Sequence, residues 1–236
     1  MNTPTIFDLL DRLAFLRGMP SVVILLIAAF VAVVAWDMRL ALLGVLIHYL
    51  FAGLLFVDVL DPRLAVVYTL TGLFVTAILA VTAWQVNWGR LPAGLTPEEA
   101  ARLGGGRRYA IGRLVLSDRA LIRLAVAALA LVVALWVARS PGLLQPVVPE
   151  PLSYLEPAIA GLILLGLGGA ASSTEPLPSG IGVLLFLSGF ALAYGFLDQS
   201  IVMTVGLIVA QLAVALVVAY LAQARYLPAD VVDLVD

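Results

Sequence analysis

Seven long apolar stretches dominate this sequence and constrain its fold more than any motif does. A transmembrane helix needs about 20 mostly apolar residues to cross roughly 30 Å of hydrocarbon. Hydrophobic residues make up 63% of the 236 residues and charged residues only 12%. The apolar runs are continuous rather than alternating, which favours helices over a barrel. The runs cover residues 20–36, 40–57, 64–86, 120–137, 157–172, 180–197 and 201–221.

We therefore predict an all-α fold class, a polytopic membrane helical bundle of about seven transmembrane helices. The polar residues between the runs divide the chain into five parts. These are an interfacial amphipathic helix over residues 1–19, transmembrane helices over 20–86, an arginine-rich cytoplasmic linker over 87–119, transmembrane helices over 120–226 and a C-terminal tail over 227–236.

The arginines predict the orientation, because cytoplasmic loops collect basic residues. Seven crossings place the two termini on opposite faces. One face receives four arginines, and the other receives the remaining nine, six of them in the linker. We expect the N-terminus outside and the C-terminus inside, in a multi-pass protein of the cell inner (plasma) membrane. Arg12 and Arg17, directly before the first run, argue for the reverse orientation if the first helix dominates insertion.

The linker is the only sizeable polar segment. Thr96, Pro97 and Glu98 predict the start of a short helix, with a capping threonine, a proline in the first turn and an acid near the positive dipole end. Three glycines then end it. The following arginines match neither a P-loop nor a dinucleotide fingerprint. We expect them to contact anionic lipid headgroups; they are Arg107, Arg108 and Arg113.

Polar side chains inside the apolar runs are the candidate functional residues, because the membrane makes them costly. They are His48, Tyr49, Thr71, Tyr194 and Gln211. His48 is either a proton relay, which needs a neighbouring acid, or a neutral imidazole bonded to a carbonyl or hydroxyl of an adjacent helix. Thr71 and Gln211 are expected to join helices by hydrogen bonds. Candidate interfacial acids, expected where water reaches the ends of the runs, are Asp58, Asp61, Glu156 and Asp198.

The sequence predicts no cofactor, no metal site and no nucleic-acid partner. It contains no cysteine, so thiolate ligands and disulfides are excluded. The two halves of the sequence also show a short internal repeat. Leu60 and Asp61 precede the third run, and Leu197 and Asp198 precede the seventh. This repeat predicts two parallel three-helix units related by an axis along the membrane normal.

Two stretches resemble a known family. They are LIHYLFAGLLFVDVLDPRLAVVYTLTGLFVTAILAVTAW over 46–84 and GVLLFLSGFALAYGFLDQSIVMTVGLIVAQLAVALVVAYLAQARY over 182–226. Their pattern resembles the E-type membrane subunit of hydrogenase-4, whose C-terminal spans are akin to the K subunit of complex I and the C subunit of multisubunit cation/proton antiporters. The resemblance implies an ion-translocating, proton-transporting respiratory complex with larger integral-membrane subunits as partners.

One departure from that family bears on mechanism. The relatives are expected to carry a glutamate in the helix that corresponds to residues 180–197, and this stretch contains no acid. The resemblance therefore implies a noncatalytic scaffolding subunit with no catalytic residue. The alternative is a small stand-alone transporter or solute-binding component for a neutral or apolar ligand. A membrane enzyme acting on lipids would need an acidic metal cluster or a nucleophile with its base, and neither pattern is present.

Overall fold

The computed structural model of the protein describes residues 14–89, 108–111, 114–140, 144 and 147–226. Several sequence predictions lie outside these residues. They concern the amphipathic helix before Ala14, the helix expected at Thr96, the lipid contacts of Arg107 and Arg113, and the tail after Tyr226.

Seven α-helices make up most of the described residues. They are α1 (Met19–Val34), α2 (Met38–Phe56), α3 (Pro62–Gln85), α4 (Asp118–Arg139), α5 (Glu156–Ala171), α6 (Pro176–Tyr194) and α7 (Ile201–Tyr226). By length and composition, six are long and apolar enough to cross a membrane. One of the six is α5 taken together with the 3-10 turn before it, as Glu150–Ala171, because α5 alone has 16 residues. The helix α1 also has 16 residues and extends about 24 Å at about 1.5 Å per residue. A multi-pass helical membrane protein is confirmed, and the crossing of the membrane by residues 20–36 stays a prediction.

The helix ends follow from local sequence. Asp37 caps α2 by accepting a hydrogen bond from the backbone N–H of Arg39 at 2.9 Å, and Asp61 caps α3 in the same way through Arg63 at 2.8 Å. Prolines stand in the first turn of α1, α3, α5 and α6, where a missing N–H costs no helical bond. Short 3-10 turns cover Ala14–Leu16, Asn87–Gly89 and Glu150–Leu155.

A two-stranded antiparallel hairpin lies between α3 and α4 and was not predicted. Its strands are β1 (Arg108–Ile111) and β2 (Leu114–Ser117), and Arg108 pairs with Ser117. The strands read RYAI and LVLS, so aromatic and branched residues favour extended backbone there. The strand β2 ends directly before α4, so the hairpin immediately precedes the second half of the bundle.

The helices form two layers, α1 to α3 and α4 to α7, in which consecutive helices pack side by side. Across the layers α1 packs on α4, α5 and α6, α2 touches α6, and α3 packs on α7. The corresponding helices of the two predicted units contact each other in the same order, α1 with α5, α2 with α6 and α3 with α7. The axis that relates the two units stays a prediction.

Alternating helix directions give the bundle two faces. The first face, where α1, α3, α5 and α7 begin, joins Arg17, Asp58 and Tyr154. The second face, where α2, α4 and α6 begin, joins Arg225 to Thr174 and Gln223 to Gln85. The buried share of the most apolar 18 residues differs between helices. It is 61% in α2 but only 22% in α4 and 28% in α7. The helices at the two ends of the layers therefore present most of their apolar surface outward.

Candidate functional site

A network of neutral polar side chains joins four helices inside the bundle. The Tyr49 hydroxyl of α2 donates to Gln211 Oε1 of α7 at 2.9 Å, and Gln211 Nε2 donates to the Tyr68 hydroxyl of α3 at 3.1 Å. The Tyr68 hydroxyl in turn donates to Ser188 Oγ of α6 at 2.8 Å. All four side chains are buried. We call Tyr49, Tyr68, Ser188 and Gln211 the interior polar network.

Local packing fixes the aromatic members of this network. A Cβ on Gly72 of α3 would collide with the Tyr49 ring, so the glycine makes room for that ring between α2 and α3. The rings of Phe56 and Tyr68 pack with their centroids 4.3 Å apart. With no water in the hydrocarbon, each hydroxyl and amide needs a protein partner. The network satisfies that need between neutral groups and ties α7 to the other three helices.

His48 lies beside the interior polar network but outside it. Its side chain is fully buried, and its ring lies at 68° to the Tyr49 ring with centroids 5.1 Å apart. Neither imidazole nitrogen has a hydrogen-bond partner within the described part of the chain. The bond to a carbonyl or hydroxyl that the sequence favoured is therefore absent there. Asp58 lies about 15 Å further along the chain at helical rise, which is too far for direct proton exchange.

The structure brings Tyr49 and Gln211 together but not the other two candidates. Thr71 is buried, and its hydroxyl donates to the Val67 carbonyl of its own helix at 2.9 Å, the nearest acceptor for a helical threonine. The prediction that Thr71 joins two helices is wrong. Tyr194, at the end of α6, packs its ring 5.8 Å from Phe190. It lines a cavity of about 10 Å³ with Asp198, among others.

Sequence reasoning did not assign Tyr68 and Ser188 to a common site. The available signal was the presence of a tyrosine and a serine within apolar runs, where each hydroxyl requires a partner. Spacing along one helix does not indicate which helix it faces. The pairing could therefore be recognised only once α3 and α6 were both packed against α7.

Asp58 bonds to two other segments on the first face. Its carboxylate forms an ion pair with Arg17, which precedes α1, and accepts a hydrogen bond from the Tyr154 hydroxyl at 2.7 Å. The Asp58 side chain is 12% exposed and that of Arg17 37%. Three segments far apart in sequence are thus held together at one carboxylate, and the sequence indicated neither partner.

The other interfacial acids differ in exposure. Asp61 is exposed, whereas Asp198 is half-buried and accepts from the backbone N–H and hydroxyl of Ser200 at 2.8 and 2.9 Å. Glu156 is fully buried, so the prediction that water reaches it is wrong. It is the first residue of α5, where the helix dipole favours a carboxylate. The Glu150–Leu155 turn also packs on both α5 and α1 at this point.

No family model, curated protein or solved structure matches this chain.

The described residues contain no group of three or more His, Cys, Asp or Glu side chains able to hold a metal ion. Arg108 begins β1, and its contact with lipid headgroups stays a prediction.

Two larger cavities lie at the edges of the bundle. One, of about 200 Å³, opens among helix ends on the second face, and an apolar groove of about 400 Å³ runs between α2 and α3.

We expect Arg17→Gln to lower the free energy of unfolding in mild detergent by about 1 kcal/mol, because it leaves the largely buried Asp58 carboxylate with only Tyr154. Arg63→Gln is the matched control, since Arg63 lies exposed on the same face. It should change the free energy by less than about 0.5 kcal/mol. Equal effects of the two variants in thermal unfolding would show that the ion pair does not stabilise the fold.

Proposed function

We propose that the protein is a noncatalytic integral-membrane subunit of an ion-translocating assembly, of complex I-like, membrane-hydrogenase-like or multisubunit antiporter-like type. Its role is to pack as a scaffold between larger membrane subunits. One observation carries the proposal: every charged residue of the seven helices lies within the first two turns or the last turn. Ion and proton paths through membranes use ionisable groups at depth. Here the interior polar network is neutral, and His48 is the one histidine of the sequence, about 15 Å along the chain from Asp58 at helical rise.

The shape of the bundle supports a spacer role. The two layers end with α4 on one side and with α3 and α7 on the other. Both ends expose large apolar side chains, such as Leu129 of α4 and Val209 of α7, at 64% and 56% exposure. A protein that sits between two larger ones needs two such outward faces, which become buried against partner helices.

The arginines support the proposed orientation. The second face carries Arg39, Arg123 and Arg225 at helix ends, and the whole linker sequence joins α3 to α4 on that side. Under the positive-inside rule this face is cytoplasmic, in the inner (plasma) membrane of the cell. The N-terminus is then outside and the C-terminus inside.

His48 is the observation that favours the alternative, a stand-alone transporter or solute-binding component for a neutral or apolar ligand. Its buried imidazole, beside the interior polar network, has no hydrogen-bond partner among the described residues. This function needs a cavity at His48 large enough for a solute. The cavity at the nearby network residue Tyr68 measures only about 10 Å³, so the scaffold is the better-supported function.

The natural sequence has no cysteine, which makes crosslinking a clean test. We expect Leu129→Cys and Val209→Cys, labelled in membranes of the encoding organism with a maleimide that carries a photoreactive benzophenone, to form adducts with other and larger membrane proteins on illumination. The benzophenone inserts into C–H bonds, so the partner needs no cysteine. Leu165→Cys is the control, because Leu165 of α5 is fully buried and should form none.

Two results would contradict the scaffold function. One is the absence of adducts from both exposed positions. The other is purification of the protein alone in mild detergent, combined with loss of solute uptake by His48→Ala at unchanged thermal stability. That second result would instead identify a transporter.

A further inference from the structure

The cavity of about 200 Å³ on the second face lies between the ends of α1, α2, α4, α6 and α7. Its floor is apolar and is formed by Ala32, Ala41, Leu177 and Ile181. The alanines of α1 and α2 leave the space because their side chains end at Cβ. The cavity is therefore a feature of the packing at this face.

The rim of the cavity is aromatic and charged. It consists of Trp36, Trp88, Arg123, Glu175 and Tyr226. Tryptophan and tyrosine are the residues that membrane proteins place at headgroup depth. An apolar floor beneath a polar rim matches a molecule with an apolar body and a charged head, in the orientation that the membrane imposes.

Positive charge predominates around this rim. The guanidinium of Arg39 lies 5.1 Å from the ring centroid of Trp88, and that of Arg225 lies 5.8 Å from the ring centroid of Tyr226. Together with Arg123 they give three cations. Among the described residues at these helix ends, the acids are Glu175, Asp37 and Asp118, and Arg119, next to Asp118 in sequence, adds a fourth cation. The field at the rim therefore favours an anion.

We propose that this cavity binds the headgroup of an anionic phospholipid. Guanidinium groups recognise phosphate through paired, charge-assisted hydrogen bonds, and Arg123 is the arginine that lines the cavity itself. The Glu175 carboxylate accepts hydrogen bonds from hydroxyls of a glycerol headgroup. Pockets for whole small molecules usually measure about 300–1,000 Å³, so this cavity suits a headgroup whose acyl chains remain in the bilayer.

This site is separate from the arginines that sequence analysis assigned to lipid contact in the linker. It also does not depend on the proposed scaffold function, since a transporter would bind the lipid equally well. The tests of the two proposals are independent, because one measures protein partners and the other measures a lipid.

Native mass spectrometry of the full-length protein in mild detergent, titrated with phosphatidylglycerol, tests the proposal. We expect Arg123→Gln to weaken binding about tenfold, since a charge-assisted pair is lost. Ala35→Phe, at the end of α1 in the cavity lining, should weaken binding similarly by filling the space. Arg139→Gln, at the other end of the same helix as Arg123, is the matched control and should stay within about twofold. Thermal unfolding confirms that each variant is folded.

Three results would overturn the proposal. The first is equal binding of phosphatidylglycerol by the folded Ala35→Phe variant and the natural protein. This comparison remains decisive even if the Arg123→Gln variant does not fold. The second is equal binding of phosphatidylglycerol and phosphatidylethanolamine, which removes the preference for an anionic lipid. The third is thermal stabilisation by inorganic phosphate as large as that by phosphatidylglycerol, which would identify a free anion as the ligand.

Discussion

Gly182→Ala is expected to destabilise the bundle by about 1–3 kcal/mol, the usual cost of forcing extra volume into a packed interior. Gly182 of α6 faces the backbone of α5, and a Cβ there would lie 2.8 Å from the Gly166 carbonyl oxygen and 2.8 Å from the Gly169 carbonyl carbon. Backbone atoms cannot rotate away as the tip of a side chain can. The two helices must therefore separate, and the measurement is the midpoint of thermal unfolding in mild detergent.

Gly206→Ala is the matched control for this prediction. Gly206 is also a helical glycine, in α7, but a Cβ built there meets no atom within 4 Å. The same substitution should leave stability unchanged or raise it by up to about 1 kcal/mol, because alanine favours helix over glycine. Equal destabilisation at Gly182 and Gly206 would contradict the close contact of α5 with α6.

Gln211→Leu is expected to cost about 1–3 kcal/mol, because it leaves the buried Tyr49 hydroxyl without its acceptor and the Tyr68 hydroxyl without a donor. Individual hydrogen bonds between membrane helices average about 0.6 kcal/mol and reach about 1.7 kcal/mol, and two are lost here. The control is Gln223→Leu in the same helix. Gln223 bonds to Gln85 at the exposed helix ends, so its loss should cost less than about 0.5 kcal/mol.

A double-mutant cycle separates this network from simple packing. We expect Tyr49→Phe to cost less in the Gln211→Leu background than in the natural protein, because its hydrogen bond is then already absent. Equal costs in both backgrounds would mean that Tyr49 and Gln211 do not interact energetically, whatever their distance.

Sequence reasoning located the helices well, because a membrane-crossing helix must be continuously apolar over its own length. The third run was predicted over 64–86 and is Pro62–Gln85, and the seventh was predicted from 201 and begins at Ile201. That constraint acts locally. It could not show that α1 stops at Val34, nor that the linker contains the β1–β2 hairpin.

Contacts between helices were much harder to predict. The apolar runs are hydrophobic on all sides, so their pattern does not distinguish a face toward lipid from a face toward protein. Glu156 illustrates this, because its position at a helix end suggested exposure, whereas packing of the preceding turn buries it. Gln211 was recognised as a polar group needing a partner, but Tyr68 was not recognised as that partner. Such a pairing depends on the order of the layers, which no single helix encodes.

The position of α1 has a consequence for biosynthesis. It is the first membrane helix to be made, yet it packs on α4, α5 and α6, which are translated about 100 residues or more later, at roughly 5–20 residues per second. During that delay α2 is the one helix already made among those on which α1 is described to pack. The first helix therefore gains its contacts with α4, α5 and α6 late, and assembly in the membrane completes only after synthesis of the second half.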